Sequence, residues 1–234
     1  MHYVIGDIHG EYDQLMILME MIAPKDGDVV YALGDVIDRG PEPVKVVRYM
    51  MEHPNFRLIA GNHELMALEC LRFLMQDITE DSIAGINETD LALLADWQIN
   101  GCASTLKGLR ALTTEERSDV IEYLSDALAY EDIEVEGVRY ILVHGGLGNY
   151  RPDRPLWDYS IDELVWEQTD FDKVYLDGAV LVTGHTPTQL IEGCPAPGYV
   201  YKTEGHIGLD CGACFEGGRL AAVCLETGQV FYSR

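Results

Sequence analysis

Val29-Val30-Tyr31-Ala32-Leu33 is a short apolar run that passes straight into Gly34-Asp35-Val36-Ile37-Asp38-Arg39-Gly40. A run of this length ending on Gly-Asp has the pattern of a buried strand that opens into a loop. The same passage occurs on either side of it. His2-Tyr3-Val4-Ile5 leads into Gly6-Asp7-Ile8-His9-Gly10, and Phe56 to Ala60 leads into Gly61-Asn62-His63-Glu64. Between them, Leu15, Leu18, Met19 and Ile22 recur at helical spacing within Tyr12 to Ile22. Pro41 to Met51 reads as a second helix with its proline early, where proline is tolerated. Three such strand–loop–helix units predict βαβ connections and a mainly parallel sheet. Parallel strands bring their C-terminal loops to one edge, where the sites of α/β proteins are built.

Further along, Glu64 to about Lys107 reads as mostly helical, interrupted by the polar loop Asp77 to Asp81. Thr114 opens another helix, with Glu115 and Glu116 in its first turn and Val120, Ile121 and Leu124 as its apolar stripe. Residues 65–128 are therefore read as a helical insert that packs beside the core. The period then changes. Asp132 to Glu136 alternates, Gly137 turns the chain, and Val138 to Val143 pairs back as a hairpin that delivers His144-Gly145-Gly146. Ala179 to Thr183 delivers Gly184-His185-Thr186, and His206 to Asp210, Leu220 to Leu225 and Gln229 to Ser233 read as late strands. No linker or repeat interrupts the chain, so a single domain over residues 1–234 is expected.

The bulk composition bounds the function. The chain has 234 residues, 47% of them hydrophobic, which is ample for a core. No apolar run approaches the ~20 residues of a membrane span, and the N-terminus lacks the pattern of a signal peptide. Cytoplasmic residence is the expectation. A formal net charge of −24 disfavours nucleic acid and anionic membrane as partners, since both need a basic face. A phosphate-bearing substrate would need local cations, and metal ions are often the largest charges in such a site. The six cysteines are expected to be free thiols. Cys211 and Cys214 form a CxxC among glycines, with no second CxxC or paired His, and read as small structural thiols.

Each Gly-Asp pair taken alone is ordinary turn chemistry. Together the loops carry carboxylate, imidazole and amide oxygen, and four of the seven histidines fall in them. That donor set suits a divalent ion such as manganese, iron or zinc. Asp7 and His9 can leave one loop toward one ion. Asp35 can bridge two ions, and Asn62, His144 and His185 can complete the second. A pair of cations about 3.5–4 Å apart supports in-line phosphoryl transfer to water.

The order GDxHG, GDxxDRG, GNHE, HGG and GHT resembles the phosphoprotein phosphatase family of calcineurin-like metallophosphoesterases, over nearly the whole chain. The nearer likeness is to its bacterial members, which include serine/threonine phosphatases and symmetrical diadenosine tetraphosphatases. The resemblance implies an α/β fold, a β-sandwich with helices on both outer faces in four α/β/β/α layers. It implies a dinuclear centre with Asp7 and His9 on the first metal, Asp35 bridging, and Asn62, His144 and His185 on the second. Manganese is the ion it suggests first. It makes Asp38 the partner of His63, the acid for the leaving group, and gives Arg39 the phosphoryl oxygens. The implied substrates are phosphorylated proteins or small phosphoesters, with dinucleoside polyphosphates as the alternative. A protein that uses the same site only to hold a ligand is the reading from another class.

One position departs from the family pattern. Many relatives carry a second phosphate-binding arginine in a Trp-x-Arg segment between the last two metal histidines, whereas this chain has Trp166-Glu167-Gln168. Glutamine supplies a hydrogen bond but no charge. Arg151, Arg154 and Lys173 are the cations that can stand in. Trp97, Trp157 and Trp166 are expected in the core, and His2, His53 and His206 outside the site.

Overall fold

Two five-stranded sheets form the centre of the computed structural model, which describes residues 1–75 and 85–234. The polar loop expected at Asp77 to Asp81 lies outside the described residues. The first sheet has the order β10-β9-β1-β2-β3. Its strands are β1 (His2–Ile5), β2 (Val29–Ala32), β3 (Phe56–Leu58), β9 (Ala221–Cys224) and β10 (Val230–Tyr232). β1, β2 and β3 are parallel, with Ile5 opposite Ala32 and Ala32 opposite Leu58, while β9 and β10 join antiparallel. The second sheet has the order β4-β5-β6-β8-β7. It contains β4 (Glu131–Val135), β5 (Val138–Leu142), β6 (Ala179–Thr183), β7 (Tyr201–Lys202) and β8 (His206–Gly208). Here β5, β6 and β8 are parallel and the edges β4 and β7 antiparallel.

The three parallel strands expected from the first units are present as β1, β2 and β3. The hairpin β4–β5 starts a second sheet, and the β9–β10 pair returns to cover the free edge of β1. The two-sheet form implied by the family resemblance is the one observed.

Strand alternation builds the layers. Val4, Tyr31, Leu33, Leu142, Val182 and Val223 point between the sheets and form one buried cluster. Their neighbours Ile5, Ala32 and Ala222 point the other way, onto the helical layer with Leu15, Val47, Met50 and Trp97. Ile141 and Leu181 face outward from the second sheet, under Leu156, Tyr159 and Leu164. This is the four-layer α/β/β/α order.

The helices are α1 (Tyr12–Ile22), α2 (Pro43–Glu52), α3 (Asn62–Leu74), α4 (Glu88–Ile99), α5 (Ala103–Arg110), α6 (Thr114–Ser125) and α7 (Ile161–Val165). α2 starts at Pro43 rather than Pro41, because the Glu42 N–H is tied to the Gly10 carbonyl. Thr113 caps α6 in a reciprocal pair with Glu116. α3 from residue 65 onward, α4, α5 and α6 are the described helices of the expected insert 65–128. α4, α5 and α6 pack on α2 and α3.

Candidate active site

Five loops, each at the C-terminal end of a strand, meet where the two sheets adjoin. Asp7 and His9 follow β1, and Asp35, Asp38 and Arg39 follow β2. Asn62 and His63 open α3 after β3. His144 follows β5 and His185 follows β6. The first two loops are laced together by backbone: the Ile8 and His9 N–H groups both donate to Asp35 O, and Gly40 N–H donates to His9 O. The third loop is tied by Glu64. Its buried carboxylate accepts from the Asp35, Val36 and Gly61 N–H groups at 2.7, 2.9 and 3.0 Å. Burial, then the nearby charge of Asp35, pushes Glu64 up to about 7. The loop after β6 is joined to the loop after β1, since the His185 N–H donates to both oxygens of Asp7 at 3.0 and 3.1 Å. Gly184 permits this approach, because a Cβ there would collide with Asp7 Oδ1.

These ties hold unusual backbone. His9, Asp35, Asp38, Arg39 and His185 have φ of +44°, +48°, +68°, +63° and +63°. They are five of the eight non-glycine residues with positive φ among the described residues. Each such conformation costs energy and persists only where its surroundings over-determine it.

The donor atoms fit a pair of cations. Ligand atoms of His9, Asp35 and His63 lie within 4.8 Å of one another, and those of Asp35, His144 and His185 do the same. Asp35 faces both groups with different oxygens. Oδ2 is 3.6 Å from His9 Nε2 and 3.8 Å from His63 Nε2, while Oδ1 is 3.4 Å from His144 Nε2. The imidazole tautomers follow from their partners. His9 Nδ1 is 3.0 Å from Ile37 O and His144 Nδ1 is 2.5 Å from Leu33 O. A carbonyl only accepts, so each Nδ1 carries its proton and each Nε2 is a lone pair in the neutral ring. Burial holds His9 down at about 3 and lowers His144 and His185 as well, the last to about 4. His144 Nε2 nevertheless stands 2.9 Å from Asn62 Oδ1, and Asn62 Oδ1 is also 3.0 Å from His185 Nδ1. A lone pair packed against carbonyl and carboxylate oxygens is a mismatch for hydrogen bonding and a match for a shared cation. Carbonyl-oriented imidazoles are also the usual setting of metal-ligating histidine.

Asp7 stands in neither group. It lies against Asp210, and burial followed by the charges of Asp210 and Asp35 holds its carboxyl well above the ordinary range. Asp210, to which sequence reasoning assigned no catalytic role, is pushed up to about 7, by burial before all else.

Asp38 and His63 form a buried pair, with Nδ1 to Oδ2 at 2.7 Å. His63 Nε2 is buried with no hydrogen-bond partner among the described residues. Burial pulls the ring's pKa down, but the Asp35 charge and the Asp38 hydrogen bond outweigh it, and the net shift is upward. Two further donors reach the same carboxylate: Trp97 Nε1 at 2.7 Å from Oδ2, and Thr105 Oγ1 at 2.5 Å from Oδ1.

Arg39 does not bridge to Asp38. Its NH1 donates to His9 Nε2 at 2.8 Å, and its N–H to Gly101 O at 3.0 Å. Two of the cations expected to replace the second arginine are engaged elsewhere. Arg154 forms a two-pronged pair with Glu163 and stacks on Tyr159, while Lys173 sits over the rings of Tyr150 and Tyr175. Gln168 and Arg151 are exposed. The tryptophans divide. Trp97 is core, but Trp157 and Trp166 are 78% and 46% exposed, which corrects the expectation that all three are buried. Trp166 lies edge-on to His185, with ring centroids 6.4 Å apart.

The sequence profile of the calcineurin-like phosphoesterases matches residues 3–210. The chain belongs to this family. The symmetrical bis(5'-nucleosyl)-tetraphosphatase of Wigglesworthia glossinidia brevipalpis is 34% identical over 99 residues, 41% of this chain and 36% of that protein. The match thus spans about a third of the length of that curated relative. A crystal structure described provisionally as a diadenosine tetraphosphatase superposes with a TM-score of 0.67 at 21% identity, covering 99% of this chain and 91% of the other. A serine/threonine phosphatase from Saccharomyces cerevisiae gives 0.56 at 15% identity, covering 99% and 78%. At these identities the structures share the fold alone. Residues outside the five motifs also build the surroundings of these loops. Glu64, Trp97, Thr105 and Asp210 all meet site side chains or their backbone, and only Glu64 lies inside a motif.

Proposed function

We propose that this calcineurin-like phosphoesterase hydrolyses phosphate esters with two divalent cations, and that its foremost substrates are phosphomonoesters of the protein-phosphatase type. The observation that carries the reading is Asp35, whose Oδ2 faces His9 and His63 while its Oδ1 faces His144. His9 and Asp35 would hold the first ion with Asp7, and Asp35, Asn62, His144 and His185 the second; manganese is the ion to test first. When bound, the ions supply Lewis-acid charge at the phosphoryl group and a more acidic water. The chain's own residues do the rest. Arg39 presents a planar fork to phosphoryl oxygens. Water gives up a proton to solvent as it adds to phosphorus, the bond to the leaving oxygen breaks, and His63 Nε2 delivers the proton that oxygen needs. Asp38 fixes the tautomer by accepting from Nδ1. The cytoplasm, where the six free thiols would stay reduced, is the proposed location.

A second reading is a symmetrical dinucleoside polyphosphate hydrolase. It is favoured by the activity named for the curated relatives and by the exposed Trp166 beside His185, which offers a face to a base. Product analysis with manganese separates the two. Diadenosine tetraphosphate yielding two molecules of ADP supports the second reading, and release of phosphate from phosphopeptides without it supports the first. Turnover of neither, nor of any nitrophenyl ester, with any divalent ion would leave a ligand-holding protein.

A further inference from the structure

The helical insert reaches into the site at one point. Asp38 is fully buried, and its carboxylate has three side-chain donors, of which only His63 belongs to a motif. Trp97, from the C-terminal half of α4, gives its indole N–H to Oδ2, the same oxygen that accepts from His63 Nδ1. Thr105, from α5, gives its hydroxyl proton to Oδ1, and its oxygen accepts the Asp38 N–H at 3.0 Å. The hydroxyl thus links the carboxylate to its own backbone. Trp97 and Thr105 are themselves buried, so no water competes for the carboxylate.

We propose that Trp97 and Thr105 are positioning residues for the Asp38–His63 pair, so that the insert is part of the catalytic machinery as well as packing. This inference rests on the proposed phosphoester hydrolysis. The physical argument is one of freedom. A carboxylate held only by an imidazole can rotate about χ2 and carry the ring with it. Donors on both oxygens remove that rotation, and His63 Nε2 is then held in one direction. Asp38 also sits at φ +68°, with its neighbour Arg39 bonded through backbone to Gly101 between the two insert helices. Proton delivery is sensitive to such aim, because a misdirected acid fails where the leaving group needs it most.

A role in packing alone makes a different prediction from a role in aim. Thr105→Val keeps the shape and removes the hydroxyl, and Trp97→Phe removes the indole N–H. Each manganese-loaded variant is compared with the wild-type protein on nitrophenyl phosphate and on phenyl phosphate, whose leaving group is the poorer. Positioning predicts a fall in kcat with KM nearly unchanged, about tenfold larger on phenyl phosphate than on nitrophenyl phosphate. Thr105→Ser, which keeps the oxygen, should restore most of it. Equal losses on both esters, or no loss in a folded variant, overturn the inference and leave the two side chains as packing. A wild-type protein without turnover on any ester sinks the hydrolase reading instead. The inference then stands on the proton spectrum of the metal-free chain. There the downfield Nδ1–H of His63 should shift in Thr105→Val, and an unmoved resonance counts against it. If Trp97→Phe does not fold, Thr105→Val and Thr105→Ser carry the test alone.

Discussion

Asp35 is the residue on which most of the site depends. Its two oxygens face different imidazole groups, its N–H is held by Glu64, and its carbonyl receives two amides from the first loop. Asp35→Asn is expected to abolish turnover and to lower manganese affinity measured by calorimetry, because the amide replaces one bridging oxygen with N–H. Retained affinity with lost turnover would confine Asp35 to the chemistry. Glu64 carries a second prediction. In Glu64→Gln one of the two acceptor oxygens becomes an NH2 group that meets a backbone N–H. An unpaired buried donor costs about 1–3 kcal/mol. Thermal unfolding should shift by that amount, and metal affinity should weaken as the Asp35 loop loosens. Unchanged melting would show that the amides find other partners. The sequence displays Glu64 inside its motif but not its task, since its partners are backbone amides that every residue possesses. The bonds of Trp97 and Thr105 to Asp38 were invisible for a different reason. The two residues lie 59 and 67 residues from Asp38, and no local pattern announces a hydrogen bond at that separation.

At the scale of elements, the ends of strands were legible and the short pieces were not. The apolar runs at Val29 and Ala179 end on Gly, and β2 and β6 stop within a residue of that expectation. α7, with five residues, and β7, with two, are too short to show a period and went unread. The pairing of sheets was hidden as well, because an alternating strand does not say which partner covers its second face. One contact between elements gives a test by pH. Glu226, in the turn between β9 and β10, accepts the His2 N–H at 2.9 and 3.0 Å and the His2 ring at 2.8 Å, and so fastens the start of β1. Partial burial raises its pKa, but those hydrogen bonds outweigh it and hold the carboxyl at about 2, against an ordinary 4.5. A depressed carboxylate contributes stability in full above its unfolded pKa and loses it as pH falls through the folded one. Glu226→Gln should therefore destabilise the protein by about 2 kcal/mol at neutral pH, and the gap to wild type should close between pH 4.5 and about 2. A constant gap across that range would remove the charge from the account.

For the whole molecule, the net charge of −24 surrounds a site built to take an anion. Two of the three cations that sequence reasoning offered as replacements for a second arginine are committed to Glu163 and to tyrosine rings. Long-range repulsion should slow substrate arrival, and salt screens it with a Debye length of about 10 Å at 0.1 M. The expected outcome is a kcat/KM that rises by about two- to tenfold between 20 and 200 mM salt for a multiply charged substrate, and less for nitrophenyl phosphate. A fall with salt would mean that the loaded centre and Arg39 dominate the field.

The bond from the His185 N–H to Asp7 joins positions 178 residues apart. A chain emerging from a ribosome therefore exposes Asp7, His9, Asp35 and Asn62 long before His144 and His185 exist to meet them. Growing chains fold from the N-terminal side as they are made, so a half-made molecule holds loose carboxylates without the second sheet that closes them. With the proposed ligands, tight metal capture would come only once β6 has been made, and a fragment ending before β6 should bind manganese no better than its acidic surface does.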